Sequence, residues 1–221
     1  MRPNDASFFD PKAEVGVLQR RLPHWDQAGT FAFVTFRLID SLPQQLVQQL
    51  TKERTALLSA AGIDGDVVDL KASLNKLPPR EASMLRWKLF VGWDTQLDAL
   101  CGGCWLRRPD ISKIVSDGLL KFDSDRYTMA AFVVMPNHVH LLAAFREEGM
   151  ITTQGAAWRR FFAREINALI GRSGHFWQED QFDHLVRSEV SFDRIRRYII
   201  DNSAKAKLRC GEYRLYVSPE L

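Results

Sequence analysis

Phe132-Val133-Val134-Met135-Pro136-Asn137-His138-Val139-His140-Leu141-Leu142 is the stretch on which the reading of this chain turns. An apolar run meets Pro-Asn, a turn signal, and a second run follows in which histidine alternates with aliphatic residues. The pattern predicts strand, tight turn and strand, with the strands over Tyr127 to Val134 and His138 to Phe145. Side chains of an extended chain alternate between faces, which puts His138 and His140 on one side and Val139 on the other. Two imidazoles so placed on a rigid strand make half of a metal site. A pair of sheet histidines satisfied only by neighbours has the same spelling, so other parts of the chain must separate the two readings.

Upstream, Phe31-Ala32-Phe33-Val34-Thr35-Phe36-Arg37-Leu38 is aromatic and β-branched and reads as a strand. Ser41 stands as the N-cap of a helix through Leu46, Val47, Leu50 and Leu57. Breakers fill 61–80, and a second helix from about Glu81 to Leu100 carries Trp87, Phe90 and Trp93. Residues of about 44–100 therefore form an inserted helical arm. Pro109-Asp110 opens a helix with Ile111, Ile114, Val115 and Leu119 at helical spacing. Downstream, Thr152 to Ile170 is helical, with Trp158, Phe161, Phe162, Ile166 and Leu169 inward and Arg159, Arg160 and Arg164 at polar positions. Phe182 to Arg187 is a short strand, and Ser191 caps a last helix striped by Phe192, Ile195 and Ile199. The order predicts an α+β class: an antiparallel sheet with helices packed largely on one face. Residues 1–29 form an irregular lead-in, 30–210 the main domain, and 211–221 a tail.

A formal charge of +3 over 221 residues does not by itself mark a nucleic-acid partner. Three cysteines give no disulfide framework, and no stretch approaches 18 apolar residues, so a soluble, cytoplasmic protein is expected, without a membrane partner. Cys101-Gly102-Gly103-Cys104 has the spacing of a zinc or redox pair, but no second Cys or His pair stands near it.

The last helix bears on the histidines. At about 100° per residue, Ile195, Ile199 and Phe192 form the buried stripe, and Tyr198 and Asn202 fall along its margin, one turn apart. Arg194 and Lys205 flank the same margin. Two neutral imidazoles and a neutral amide would leave a divalent ion its full charge to polarise a phosphate oxygen, and a tyrosine beside them could attack phosphorus. The N/O set suits Mg²⁺ or Mn²⁺, although imidazole also accepts Zn²⁺ or Ni²⁺. The bland alternative is an amphipathic-helix tyrosine and a helix-capping asparagine. Between 187 and 209 the basic residues, among them Arg187, Arg194, Arg197 and Lys205, outnumber the acidic ones, which suits phosphate contact beside such a site. His184 and Asp183, on opposite faces of their strand, are each open to a DNA-contacting or supporting role, and Trp177 reads as a buried loop anchor.

Val134-Met135-Pro136-Asn137-His138-Val139-His140-Leu141-Leu142, with Gly174-His175-Phe176-Trp177-Gln178, Phe182-Asp183-His184 and Arg197-Tyr198-Ile199-Ile200-Asp201-Asn202, resembles the IS200-like single-tyrosine transposases, the HUH enzymes, and most closely their REP-associated branch. The resemblance spans roughly residues 28–210. It implies a ferredoxin-like core, a divalent metal held by His138 and His140 with Asn202 as third ligand, and Tyr198 forming a 5′-phosphotyrosine link to cleaved DNA. It also implies single-stranded or hairpin DNA as partner; monomer and homodimer stay open. The alternative is a domesticated protein that binds DNA structures without cutting them. Relatives often carry Asn-Pro and Ala-Gly-Leu where this chain has Asn202-Ser203 and Ala206-Lys207-Leu208, which bears on how the helix ends.

Overall fold

The computed structural model describes residues 6–10, 13, 16–19, 23–64, 73, 74, 76–179 and 181–221. The chain divides into two compact units, residues 1–39 with 103–221, and residues 40–102. The smaller unit holds α1 (Gln44–Ala60) and α2 (Pro79–Leu97). Leu58, Ile63, Leu74 and Leu85 form one of its apolar clusters, and Leu42, Leu50 and Leu97 another. Ser41 is buried and does not cap α1. The N-cap is Pro43, without a side-chain cap, because its ring fixes the extended φ of −58° that precedes a first helical turn. The side chains of Trp87, Phe90 and Trp93 lie outside those described.

The larger unit carries β1 (Gly16–Gln19), β2 (Pro23–Asp26), β3 (Phe31–Arg37), α3 (Pro109–Leu120), β4 (Tyr127–Val134), β5 (His138–Phe145), α4 (Met150–Ile170), β6 (Phe182–Leu185), α5 (Glu189–Lys205) and β7 (Arg214–Val217). The lead-in is not wholly irregular, since β1 and β2 pair antiparallel with Gly16 opposite Asp26. Pro23 opens its strand, a position where the missing N–H costs no ladder bond. The main sheet has the order β6-β3-β5-β4-β7, antiparallel throughout. Without β7, the sequence β3-α3-β4-β5-α4-β6 in that spatial order is the ferredoxin-like split βαβ arrangement. The expected tail supplies β7, paired to β4 with Tyr216 opposite Phe132.

One face of the sheet is closed by α3 and α4. Ala32, Val34 and Phe36 of β3, Val139, Leu141, Ala143 and Phe145 of β5, and Trp158, Phe162 and Ile166 of α4 share one core with Ile111, Val115 and Leu119 of α3. β4 contributes Tyr127 and Met129, then Phe132 and Val134, to the same core. That change of phase is made by a bulge between Met129 and Ala131, which lets one strand keep its large residues inward on both sides of the irregularity. Helix α5 lies on the opposite face, so two of the unit's three long helices share a face and the third does not. Leu169, expected inward, is 49% exposed, because Ile170 makes the last turn's contact with the core. Arg159, expected at the surface, is buried and donates to Gln181. Gly155 makes room, since a Cβ there would collide with the Gln181 amide.

At Gly118, α3 approaches α4 closely: a Cβ there would stand 2.5 Å from Cε1 of buried Phe162. Gly118→Ala should therefore destabilise the protein by about 1–3 kcal/mol through overpacking, despite alanine's better helix propensity. Urea unfolding of the two proteins measures this; an unchanged or raised midpoint would contradict the packing described.

Candidate active site on the second sheet face

The Pro136-Asn137 turn is fixed on three sides. Met135 N donates to His138 O at 2.9 Å, Leu38 N to Asn137 O at 2.9 Å, and Leu106 N to Pro136 O at 3.0 Å. His138 therefore begins β5 at the end of a turn held by both β3 and the 3₁₀ turn Trp105–Arg107. Both histidines point to the same face as expected, with ring centroids 4.5 Å apart, and neither has exposed surface.

Each ring is oriented by an oxygen. Asn137 Oδ1 lies 2.7 Å from His138 Nδ1, and Thr35 Oγ1 lies 2.7 Å from His140 Nδ1. An amide oxygen only accepts, so His138 Nδ1 carries the proton and Nε2 keeps its lone pair. That Nε2 is buried and has no hydrogen-bond partner among the described residues. Burial holds both rings neutral, lowering the His138 imidazolium pKa to about 3. His140 is held well below its ordinary value by burial first, then by the His138 and Lys205 charges.

Helix α5 runs along this face in a direction that its aromatic contacts define. Phe192 packs on Phe31, with centroids at 4.7 Å, and Phe31 lies opposite Ala144 of β5. Further on, Tyr198 meets Phe33 edge-on at 6.1 Å and His140 at 5.6 Å. The helix thus travels from the Ala144 end of β5 toward His138. Asn202 is one turn on, about 6 Å, comparable to the rise of about 7 Å between His140 and His138. Asn202 is fully buried, and both polar atoms of its amide lack a hydrogen-bond partner among the described residues. An orphaned buried amide is costly unless something fills its valence.

The helix begins at Glu189 with Ser188 as its N-cap, accepting from Ser191 N at 3.2 Å, so Ser191 is not the cap. Of two serines three apart, the earlier one has the extended backbone that a cap needs, φ −165° and ψ 162°. At the other end Lys207 takes the left-handed conformation, φ 54°, and Leu208 N donates to Ser203 O at 3.0 Å. The helix thus ends on a left-handed stop, which a lysine adopts at a cost of about 1 kcal/mol.

The basic candidates divide. Lys205 Nζ lies 4.5 Å from the centre of the Tyr198 ring. Arg194 and Arg197 are exposed on α5. Arg187, outside α5, lies over Phe9 at 5.0 Å. Asn202 does not cap the helix with its side chain, whereas its carbonyl accepts from Ala206 N at 3.1 Å. The other tyrosines lie elsewhere: Tyr127 is buried on the α3/α4 face, donating to Leu119 O at 2.7 Å, and Tyr216 stacks on Phe132 of that same face at 5.3 Å. No group of three or more His, Cys, Asp or Glu among the described residues could hold a metal. Cys101 and Cys104 are not joined in a disulfide. The donor set on offer is two imidazole nitrogens and an amide oxygen, and the fit to a divalent ion rests on His138 Nε2 and the Asn202 amide. Arg37, opposite His138 in the register, was not among the sequence candidates. Counting by twos along β3 from Phe31 finds it.

Because the native state holds both imidazoles neutral, its stability has an acid limit. Below the ordinary histidine pKa of about 6.5, the unfolded chain binds protons that the folded chain refuses until about pH 3. Stability is present above that window and falls as pH drops through it. In metal-free buffer, wild type should therefore lose more stability between pH 7 and 4.5 than His138→Gln/His140→Gln, by up to about 1.4 kcal/mol per pH unit per group. Parallel urea midpoints across that range would show that the rings are not buried bases.

No family model and no curated protein matches this chain. Among solved structures, a REP-associated tyrosine transposase bound to a REP hairpin is similar, with a TM-score of 0.43 and 15% identity over 84% of this chain and 73% of that one. No helix of the described residues is long and apolar enough to cross a membrane.

Proposed function

We propose that the protein is a metal-dependent single-stranded DNA endonuclease and strand transferase that works through a covalent tyrosine intermediate. The observation that carries this reading is the meeting, on one buried sheet face, of two neutral imidazoles and Tyr198 at 5.6 Å from His140, with the orphaned amide of Asn202 one turn further along the same helix. His138, His140 and Asn202 would hold Mg²⁺ or Mn²⁺. Such an ion supplies Lewis-acid polarisation of a phosphate oxygen.

The chain's own residues do the remainder. Tyr198 is held by a rigid helix against Phe33 and His140, so its hydroxyl is positioned before substrate arrives. Its oxygen attacks phosphorus, the phenolic proton passes to solvent, and the bond to the 3′ oxygen breaks. That oxygen leaves as a hydroxyl, and the 5′ phosphate stays on Tyr198. One phosphodiester replaces another, so the link can be resealed to a second strand. Lys205, 4.5 Å from the ring centre, offsets the negative charge that develops as the phenol ionises. Arg194 and Arg197, exposed on the same helix, are placed for the phosphate backbone, and Arg187 near the helix start extends that cationic stripe.

Incubation with a hairpin oligonucleotide carrying an unpaired flank, with Mg²⁺ or Mn²⁺, should give a denaturant-stable protein–DNA adduct. Tyr198→Phe should abolish the adduct and retain metal and DNA binding. Tyr216→Phe, on the opposite face, should leave the adduct unchanged. An undiminished adduct in Tyr198→Phe, or linked DNA mapped to another tyrosine, would overturn the assignment. DNA binding with no adduct under any metal would instead favour a binding protein that does not cut.

His138→Gln/His140→Gln should remove divalent-ion binding by calorimetry together with cleavage. Retained cleavage in that variant would remove the metal from the mechanism.

A further inference from the structure

Helix α5 covers the second sheet face unevenly. It packs mainly on β4 and β5, and its Phe192 and Tyr198 rings also meet Phe31 and Phe33 of β3. The register defines what stands on the remaining strip. Arg37 of β3 is directly opposite His138. Thr35 lies between His140 on one side and Phe182 of β6 on the other, and Phe33 lies between Leu142 and His184. Residues directly opposite in antiparallel strands share a face. Phe33, Thr35, Arg37, Phe182 and His184 therefore belong to the histidine face. Asp183, opposite Val34, points to the other. Phe33 and Thr35 are buried, whereas Arg37, Phe182 and His184 are each partly exposed.

This strip, from the His138 level to the Phe33 level, thus carries two buried residues and three partly exposed ones, a cation, an aromatic ring and an imidazole. Its chemistry is that of single-strand recognition: a cation for phosphate and an aromatic plane for a base. Opposite residues in a ladder have Cβ atoms about 5 Å apart, so Arg37 is within reach of a phosphate bound beside His138. The only carboxylate on this segment of β6 faces away.

We propose that Arg37, Phe182 and His184 form the binding trough that lays the unpaired strand across Tyr198. Arg37 contacts the phosphate next to the one attacked, Phe182 stacks a base, and His184 contacts the nucleotide at the far end. The inference rests on the single-strand reading above and assigns its substrate path. It places the strand on the β3–β6 side of the helix.

The test is fluorescence anisotropy with a labelled unpaired oligonucleotide and Mn²⁺, in the Tyr198→Phe background so that no cleavage intervenes. Arg37→Gln should weaken binding and reduce the slope of log affinity against log salt by about 0.7, the loss of one single-strand phosphate contact. Arg37→Lys should restore the slope. Phe182→Leu should weaken binding roughly five- to hundredfold with the salt slope unchanged, and His184→Gln should weaken it less. Arg172→Gln, beyond the end of α4 and exposed, serves as control and should bind like the parent. Circular dichroism and Mn²⁺ calorimetry on each variant identify loss of fold or metal. Should Arg37→Gln and Phe182→Leu fold, hold metal and bind the strand as the parent does, the trough is wrong even if the adduct forms. Should the Tyr198→Phe protein bind the strand through this trough while the wild type never forms an adduct with Mg²⁺ or Mn²⁺, the trough stands and the catalytic reading fails.

Discussion

Two imidazoles with no exposed surface, on adjacent same-face positions of the central strand β5, set the terms for this face of the sheet. A charged ring there would lose its hydration with no counter-charge, so both rings are held neutral. A neutral imidazole still needs its N–H placed. Asn137 and Thr35 lie at 2.7 Å from the two Nδ1 atoms, so the turn residue and a neighbouring strand residue orient the rings from behind. The turn itself is anchored to Leu38 and Leu106. Disturbing either anchor would therefore reach the histidines through the backbone.

The sheet is asymmetric in consequence. Its other face is filled by apolar side chains from two helices. The histidine face receives a single helix whose contact residues change in character along its length. Phe192, Ile195 and Ile199 are buried as ordinary core, while Tyr198 and Asn202 bring polar atoms to the same interface. A fold that needed only stability would place apolar groups there, because a buried amide such as that of Asn202, without a hydrogen-bond partner among the described residues, costs free energy. Its place beside two buried imidazoles and Tyr198 at one end of one face is the physical reason for reading it as a site.

A rigid helix also carries the proposed nucleophile, the proposed third ligand and a cation on successive turns, Tyr198, Asn202 and Lys205. Their mutual spacing is set by the helix and their distance from the histidines by its packing on Phe31 and Phe33. The left-handed Lys207 stops that helix just beyond the last of them, so the strain is borne where the chain must turn back to form β7.

The sequence by itself determined the central elements, though not β1, β2 or β7, and the pairing of candidate site residues within β5 and α5. Period two in β5 placed His138 and His140 together, and period 3.6 in α5 placed Tyr198 with Asn202, because both periods follow from backbone geometry alone. The Pro-Asn turn made β4 and β5 a hairpin, since a loop that short allows little else. The tertiary structure decided what depends on contacts far apart in the chain. The bulge in β4 is invisible in Tyr127-Thr128-Met129-Ala130-Ala131-Phe132, where simple alternation would put Phe132 on the wrong face. Strand β7, only four residues long, is too short to read as more than a tail, and it becomes a strand only because β4 offers it a free edge. Arg159 looks like a surface residue until Gly155 and Gln181 make a buried place for it. Most of all, β5 and α5 are some fifty residues apart, and no local period can say that their two half-sites share one face. That follows from the order β6-β3-β5-β4-β7, which two helices close on one side, leaving the other for the third.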